Sequence, residues 1–220
     1  MFDAIAPRYD LLNHLLSAGI DRRWRARAIR SLALSGREVL LDVCTGTADV
    51  ALQAAGAAKV LGVDFAGAML AIGLRKARDA GEGGRITLVR GDATALPVRD
   101  GAVDAATVAF GIRNVERPEA ACAEMARAMR AGGRLAILEF GVPRLPGVSA
   151  LYLWYFQYLL PLVGRMVSGH NAAYSYLPAS VGLFPPPRVF VAMLEAAGFR
   201  DVEAVPLTFG IVYLYTGVRR

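Results

Sequence analysis

From residue 39 onward, short apolar blocks alternate with longer stretches in which apolar residues recur every three or four positions. The blocks at Val39–Val43, Val60–Val63, Ile86–Val89, Ala102–Ala109 and Leu135–Phe140 have the length and composition of strands buried on both faces. Between them, Asp49–Ala55, Ala68–Ala80 and Pro118–Met129 read as helices, the second closed by Gly81-Glu82-Gly83-Gly84. Strict alternation of this kind predicts right-handed crossovers and a mostly parallel sheet. Upstream, Asp21 reads as the cap of a helix reaching about Leu34, with Trp24, Ala28 and Leu32 on one face and arginines on the other. Downstream, a helix over Val189–Ala197 precedes two strands, Val202–Val205 and Ile211–Gly217, joined tightly enough to pair antiparallel.

The chain is organised around VLLDVCTGTADV, residues 39–50, where a strand runs into a turn at Thr45-Gly46-Thr47. The carboxyl end of such a strand is where open α/β sheets take ligands, and Gly46 lets a ligand approach backbone without meeting a Cβ. Asp42 closes the strand and Asp49 reads as the N-cap of the next helix, so two carboxylates flank the turn. A dinucleotide site wants three glycines and a pyrophosphate on the helix N-terminus, whereas this turn has one glycine in that register and an acid beside it. An acidic turn suits S-adenosylmethionine, whose ammonium and sulfonium outweigh its carboxylate. Asp64 ends the second apolar block, where a carboxylate accepts from both ribose hydroxyls, and Asp92 ends the third, on the adenine side.

Length allows one domain with a fully buried sheet. The formal charge of +6 is almost all arginine, since Lys59 and Lys76 are the only lysines. Its one cluster, Arg22 to Arg30, reads as a solvated helix face, and no nucleic-acid motif accompanies it. Cys44 and Cys122 have neither metal-ligand nor disulfide spacing, so no metal is expected. The first residues lack a signal-peptide profile, and the expected location is the cytoplasm. Leu145 to Pro187 breaks the strand–helix rhythm. Its aromatic run at 151–163 is too short to span a bilayer and is interrupted by Gln157 and Pro161. It reads as an apolar wall for a hydrophobic substrate, open near a membrane surface.

FDAIAPRYDLLNHLLS, LDVCTGTADVAL, GVDFAGAML, GDATALPVRDGAVDA, FGIRNV, GGRLAILEF and SGHNAAYSYLPASVGLFP together resemble the UbiE/MenG quinol C-methyltransferases, nearly end to end. The resemblance implies a class I S-adenosylmethionine-dependent methyltransferase fold: Rossmann-like α/β, seven strands, mostly parallel, with an antiparallel C-terminal strand. It implies one domain over 1–220, with an N-terminal lid over about 1–34 that includes Tyr9 and Asp10, and a substrate-side insertion over about 145–187. The implied reaction is methylation of a ring carbon of a polyprenylated quinol, with demethylmenaquinol favoured, a ubiquinone-pathway benzoquinol as the alternative, and another small-molecule methyl acceptor as the nearest rival. Prenyl length and oligomeric state are not legible, a homodimer being one state allowed.

Carried over residue by residue, Asp42, Gly46, Thr47, Asp64, Asp92, Ala93 and Ala109 form the cofactor site, Ala109 standing where other members have serine. The family usually reads G-T-G-D in the turn, and here Ala48 replaces the second glycine, which is expected to sit at negative φ. Transfer to carbon needs the ring carbon held near the methyl and a cation or base near the quinol hydroxyl. Arg113 is the expected cation, suited to a phenolate more than to proton removal. Asn114 follows it, and His170, with Tyr174 and Tyr176 nearby, is the expected base. An NAD-dependent oxidoreductase and a non-catalytic carrier of apolar ligands are the readings from other classes.

Overall fold

In the computed structural model, residues 17, 19–143, 147 and 180–220 are described. Seven strands form one sheet: β1 (Val39–Val43), β2 (Lys59–Asp64), β3 (Ile86–Arg90), β4 (Val103–Ala109), β5 (Met129–Phe140), β6 (Phe199–Leu207) and β7 (Val212–Arg219). Their order is β3-β2-β1-β4-β5-β7-β6. The first five pair in parallel, and β7 runs antiparallel to both β5 and β6. The predicted sheet and its reversed C-terminal strand are therefore present.

Five described helices flank it: α1 (Ile20–Ser31), α2 (Asp49–Gln53), α3 (Gly67–Asp79), α4 (Pro118–Ala128) and α5 (Pro187–Ala196). Alternation along each strand splits the core in two. Leu41, Val43, Val108 and Ile137 face Cys122 and Met125 of α4 and Phe190 and Leu194 of α5. Leu40, Ala105, Ala136 and Leu138 face Trp24 and Ala28 of α1, Ala51 of α2 and Ala77 of α3. The near absence of polar positions in β1 and β4 follows from this double coverage.

Two predicted boundaries move. Asp21 is not the cap of α1, which is Gly19 at φ +73; Asp21 lies one residue inside the first turn, buried, bonded to Arg25. Likewise Asp49 begins α2 rather than capping it, because the cap position is Ala48. The fifth strand also starts earlier than its apolar run, at Met129; its register with β4 jumps between Val103 and Ala105, so Arg130 to Gly133 bulge out before Arg134 pairs. The insertion over 145–187 falls largely outside the described residues, and of the lid over 1–34 only residues 17 and 19–34 are described; Tyr9, Asp10, His170, Tyr174 and Tyr176 lie outside them.

Candidate active site

Sheet order reverses between β1 and β4, and the crevice at their carboxyl ends is the position where doubly wound sheets bind ligands. A cleft of about 470 Å³ opens there. Its walls come from the ends of successive strands: Cys44 and Gly46 after β1, Asp64 and Phe65 at β2, Asp92 and Ala93 after β3, and Ala109 to Gly111 with Asn114 after β4.

The turn after β1 is tightly determined. Cys44, Gly46 and Ala48 all have positive φ, at 54°, 56° and 66°. The expectation of negative φ at Ala48 is thus corrected: the left-handed conformation that a second glycine adopts freely is kept here by alanine. An alanine there costs roughly 1–2 kcal/mol. The surroundings enforce it. Thr45 N–H donates to Val63 O at 3.1 Å, Ala48 N–H to Thr45 O at 2.9 Å, and Gly46 N–H to Asp64 Oδ2 at 2.8 Å. A matching constraint acts from β4: a Cβ on Gly111 would lie 2.3 Å from Cys44 Cβ, so only glycine lets the two loops meet.

Asp64 is fixed from both sides. Its Oδ2 accepts from Gly46 N–H, and its Oδ1 accepts from Ala66 N–H at 2.8 Å. Two backbone amides from separate loops thus fix the orientation of a carboxylate that lines the cleft. It also occupies the Gly46 amide that a pyrophosphate would need. This, rather than Asp49, is what disfavours a dinucleotide. Asp49 does not line the cleft. Its carboxylate pairs with Lys76 and lies 3.4 Å from Arg25, which also pairs with Asp21. Those ion pairs lock α1, α2 and α3 together behind the turn.

Asp42 and Thr47 stand in that second layer too, 1 % and 3 % exposed, rather than on the cleft wall. Asp42 Oδ2 accepts from Thr45 Oγ1 at 2.5 Å, and its other oxygen is buried without a hydrogen bond among the described residues. Burial, only partly offset by that hydroxyl, pushes its carboxyl up to about 7. Thr47 receives a hydrogen bond from Lys76 Nζ at 3.3 Å. Asp92 lies at the open rim; its Oδ1 accepts from Thr94 N–H and Oγ1 at 2.8 and 2.9 Å, which hold its carboxyl below the usual range. Ala93 and Ala109 present small walls on either side.

Sequence reasoning missed Phe65. It lines the cleft next to Asp64 with 71 % of its surface exposed, and the Arg90 guanidinium sits 5.5 Å from its ring centre. A large exposed aromatic immediately after an acid at a strand end was a signal available in GVDFAG.

Arg113 and Asn114 occupy a 3-10 turn, Ile112–Asn114, directly after β4. Asn114 lines the cleft, and its Oδ1 has no hydrogen bond among the described residues. Arg113 does not line it. Its Nη1 donates to Glu139 Oε1 at 2.5 Å and Phe110 O at 2.6 Å, its Nε to Ser180 Oγ at 3.3 Å, and its guanidinium packs 5.2 Å from the Phe140 ring centre. Glu139 is completely buried. The expected cation is therefore charge-matched, one layer behind Asn114. Among the described residues, no group of three acidic, histidine or cysteine side chains is placed to hold a metal.

The chain is 49% identical to the ubiquinone/menaquinone biosynthesis C-methyltransferase UbiE of Syntrophotalea carbinolica, over all of this chain and 92% of that one. It is 47% identical to the demethylmenaquinone methyltransferase of Thermus thermophilus, over the full length of both. Among solved structures, a S-adenosylmethionine-dependent methyltransferase of Thermotoga maritima shares the fold with a TM-score of 0.66 at 17% identity, over 100% of this chain and 98% of that one. The model of the ubiE/COQ5 methyltransferase family matches residues 1–219, and the chain belongs to that family.

Proposed function

We propose that the protein transfers the methyl group of S-adenosylmethionine to a ring carbon of a reduced, polyprenylated quinol, with demethylmenaquinol as the acceptor. The observation that carries the cofactor assignment is Asp64: a carboxylate held in place by two backbone amides at a strand end and lining an acidic cleft. Its charge and directionality suit a ribose diol on a cationic ligand. The acceptor rests on the full-length relative from Thermus thermophilus, named for demethylmenaquinone. The double name of the Syntrophotalea carbinolica relative keeps a benzoquinol as the second reading.

S-adenosylmethionine supplies an electrophilic methyl on a sulfonium. The chain's own part is to bind, orient and polarise. Asp64 holds the ribose, Phe65 offers a ring face, and Asp92 with Ala93 borders the adenine side. Gly46 and Ala109 keep backbone and small side chains near the reacting end. Asp42 and Thr47 act through the turn, fixing its shape from behind through Thr45 and Lys76. On the acceptor side, Asn114 Oδ1, which has no hydrogen bond among the described residues, accepts from a ring hydroxyl in this reading. Arg113 and Glu139 stand behind it as an oriented pair, so Arg113 favours the phenolate through a dipole rather than a bare charge. His170 is the base in this reading. A polyprenyl tail resides in lipid, so in this reading the work is done at a membrane surface. No helix among the described residues is long and apolar enough to cross one.

The reading is tested by offering methyl-labelled cofactor anaerobically with reduced and with oxidised demethylmenaquinone. Label is expected on a ring carbon and only with the reduced acceptor, because the oxidised ring is electron-poor and has no ionisable hydroxyl. Label on oxygen, or equal transfer to the oxidised ring, refutes it.

A further inference from the structure

The start of α1 meets the turn between β6 and β7 at one corner of the molecule. Trp24 Nε1 donates to Thr208 Oγ1 at 2.9 Å. Trp24 also packs on Phe110 and Phe140, with ring centres 6.1 and 6.4 Å away, and these two lie 4.7 Å apart. Phe110 lines the cofactor cleft, so one aromatic layer separates the cleft from this corner.

Three features of the corner have no role in the fold. Phe209 is 68 % exposed and sits at φ +60, between Thr208 at +45 and Gly210 at +87. A bulky residue in the left-handed region is strained, and an exposed phenyl ring adds a hydration cost, so the folded chain bears two penalties at one position. Next, the outward face of α1 carries Arg22, Arg23, Arg27 and Arg30, none of which forms an ion pair among the described residues. The only acid of that helix, Asp21, is buried against Arg25. Third, Ile20 and Val142 are exposed beside these groups: Ile20 opens α1, and Val142 follows Gly141, whose N–H donates to Ile211 O.

We propose that this corner is a docking surface for an anionic lipid bilayer, with Phe209 entering the interface and the α1 arginines meeting lipid headgroups. An exposed apolar ring on a turn that α1 touches through Trp24, with a row of unpaired cations on that helix, matches a headgroup layer in both polarity and charge. A soluble anionic partner explains the arginines but leaves the strained, exposed Phe209 unexplained. The proposal rests on the proposed function only in supplying a reason for lipid contact; binding to vesicles is measured without any methyl acceptor.

Co-sedimentation of the full chain with phosphatidylcholine vesicles, with and without phosphatidylglycerol, tests it. Binding is expected with phosphatidylglycerol, weak without it, and reduced by salt. Removing Arg22 and Arg23 together (Arg22→Ser/Arg23→Ser) should weaken it by about 25-fold, at about fivefold per arginine. Phe209→Asn should weaken it by roughly tenfold while leaving the melting temperature unchanged or higher, because asparagine tolerates the left-handed region. That opposite movement of affinity and stability is something a merely structural Phe209 does not produce. Cofactor binding and methylation of a short-chain, water-soluble quinol should be retained in both variants, so a failure of the methyl-transfer reading is seen separately. Equal binding to neutral and anionic vesicles, unchanged binding by the variants, or retention of duplex DNA with no vesicle binding overturns the proposal.

Discussion

Replacing Asp64 by alanine separates two jobs of one carboxylate. In the folded protein it accepts from Gly46 N–H and Ala66 N–H, each at 2.8 Å, and it lines the cleft. Loss of two charge-assisted bonds to a ribose diol should cost about 2–4 kcal/mol of binding, a weakening of tens- to hundreds-fold. Loss of the two backbone contacts should cost the fold a further ~1–3 kcal/mol, because the Gly46 amide is half-buried and the Ala66 amide belongs to a buried residue. Calorimetric titration with S-adenosylmethionine reads the first, and thermal melting without ligand reads the second. Asp64→Asn keeps one carbonyl acceptor and loses the charge, and should fall between wild type and alanine in affinity. If Asp64→Ala melts lower as expected yet binds the cofactor as tightly as wild type, the carboxylate only supports the turn and the ribose assignment is wrong.

Gly111→Ala should force Cys44 aside, destabilise by about 1–3 kcal/mol and weaken cofactor binding; Cys44→Gly in the same chain should restore much of both in melting and titration. Arg113→Ala strands the buried Glu139 carboxylate and should lower the unfolding free energy by about 3–5 kcal/mol in denaturant titration, part of it regained in Arg113→Ala/Glu139→Ala. In the fraction that remains folded, turnover should fall more than cofactor affinity. The folded-state carboxyl of Asp42 titrates near 7, above its ordinary 3.8, so the native state holds a proton that the unfolded chain releases. Its contribution is therefore fully present below about pH 4 and lost as pH rises through about 7. Asp42→Asn should flatten that part of the stability–pH curve, measured by melting across the range; an unchanged slope refutes it.

Much of the architecture was legible because a doubly covered sheet writes itself as apolar blocks. Residues 39–43, 60–63, 86–89 and 103–109 have few alternatives to buried parallel strands, and the acids that end them mark the ligand end of the sheet. Asp64, Asp92 and Gly46 were found this way, Asn114 through the family resemblance of FGIRN, and all four line the cleft. Local signals set the strands, the turn glycine and the two acids, so the chain alone determined them. What depends on which side chains meet across the fold was not legible. The left-handed Ala48 is stabilised by bonds from β2 and the turn, not by its own preference. The direction of Asp49 was set by Arg25 and Lys76, residues of two other helices, which turned an apparent ligand contact into an internal lock. Arg113 reads as a free cation in FGIRN until β5 brings Glu139 beneath it. Cysteine at 44 demands glycine at 111 only because β1 and β4, distant in sequence, are neighbours in the sheet. Periodicity is a property of neighbours along the chain, whereas charge pairing and close contact belong to neighbours in space, and these only the tertiary structure decided.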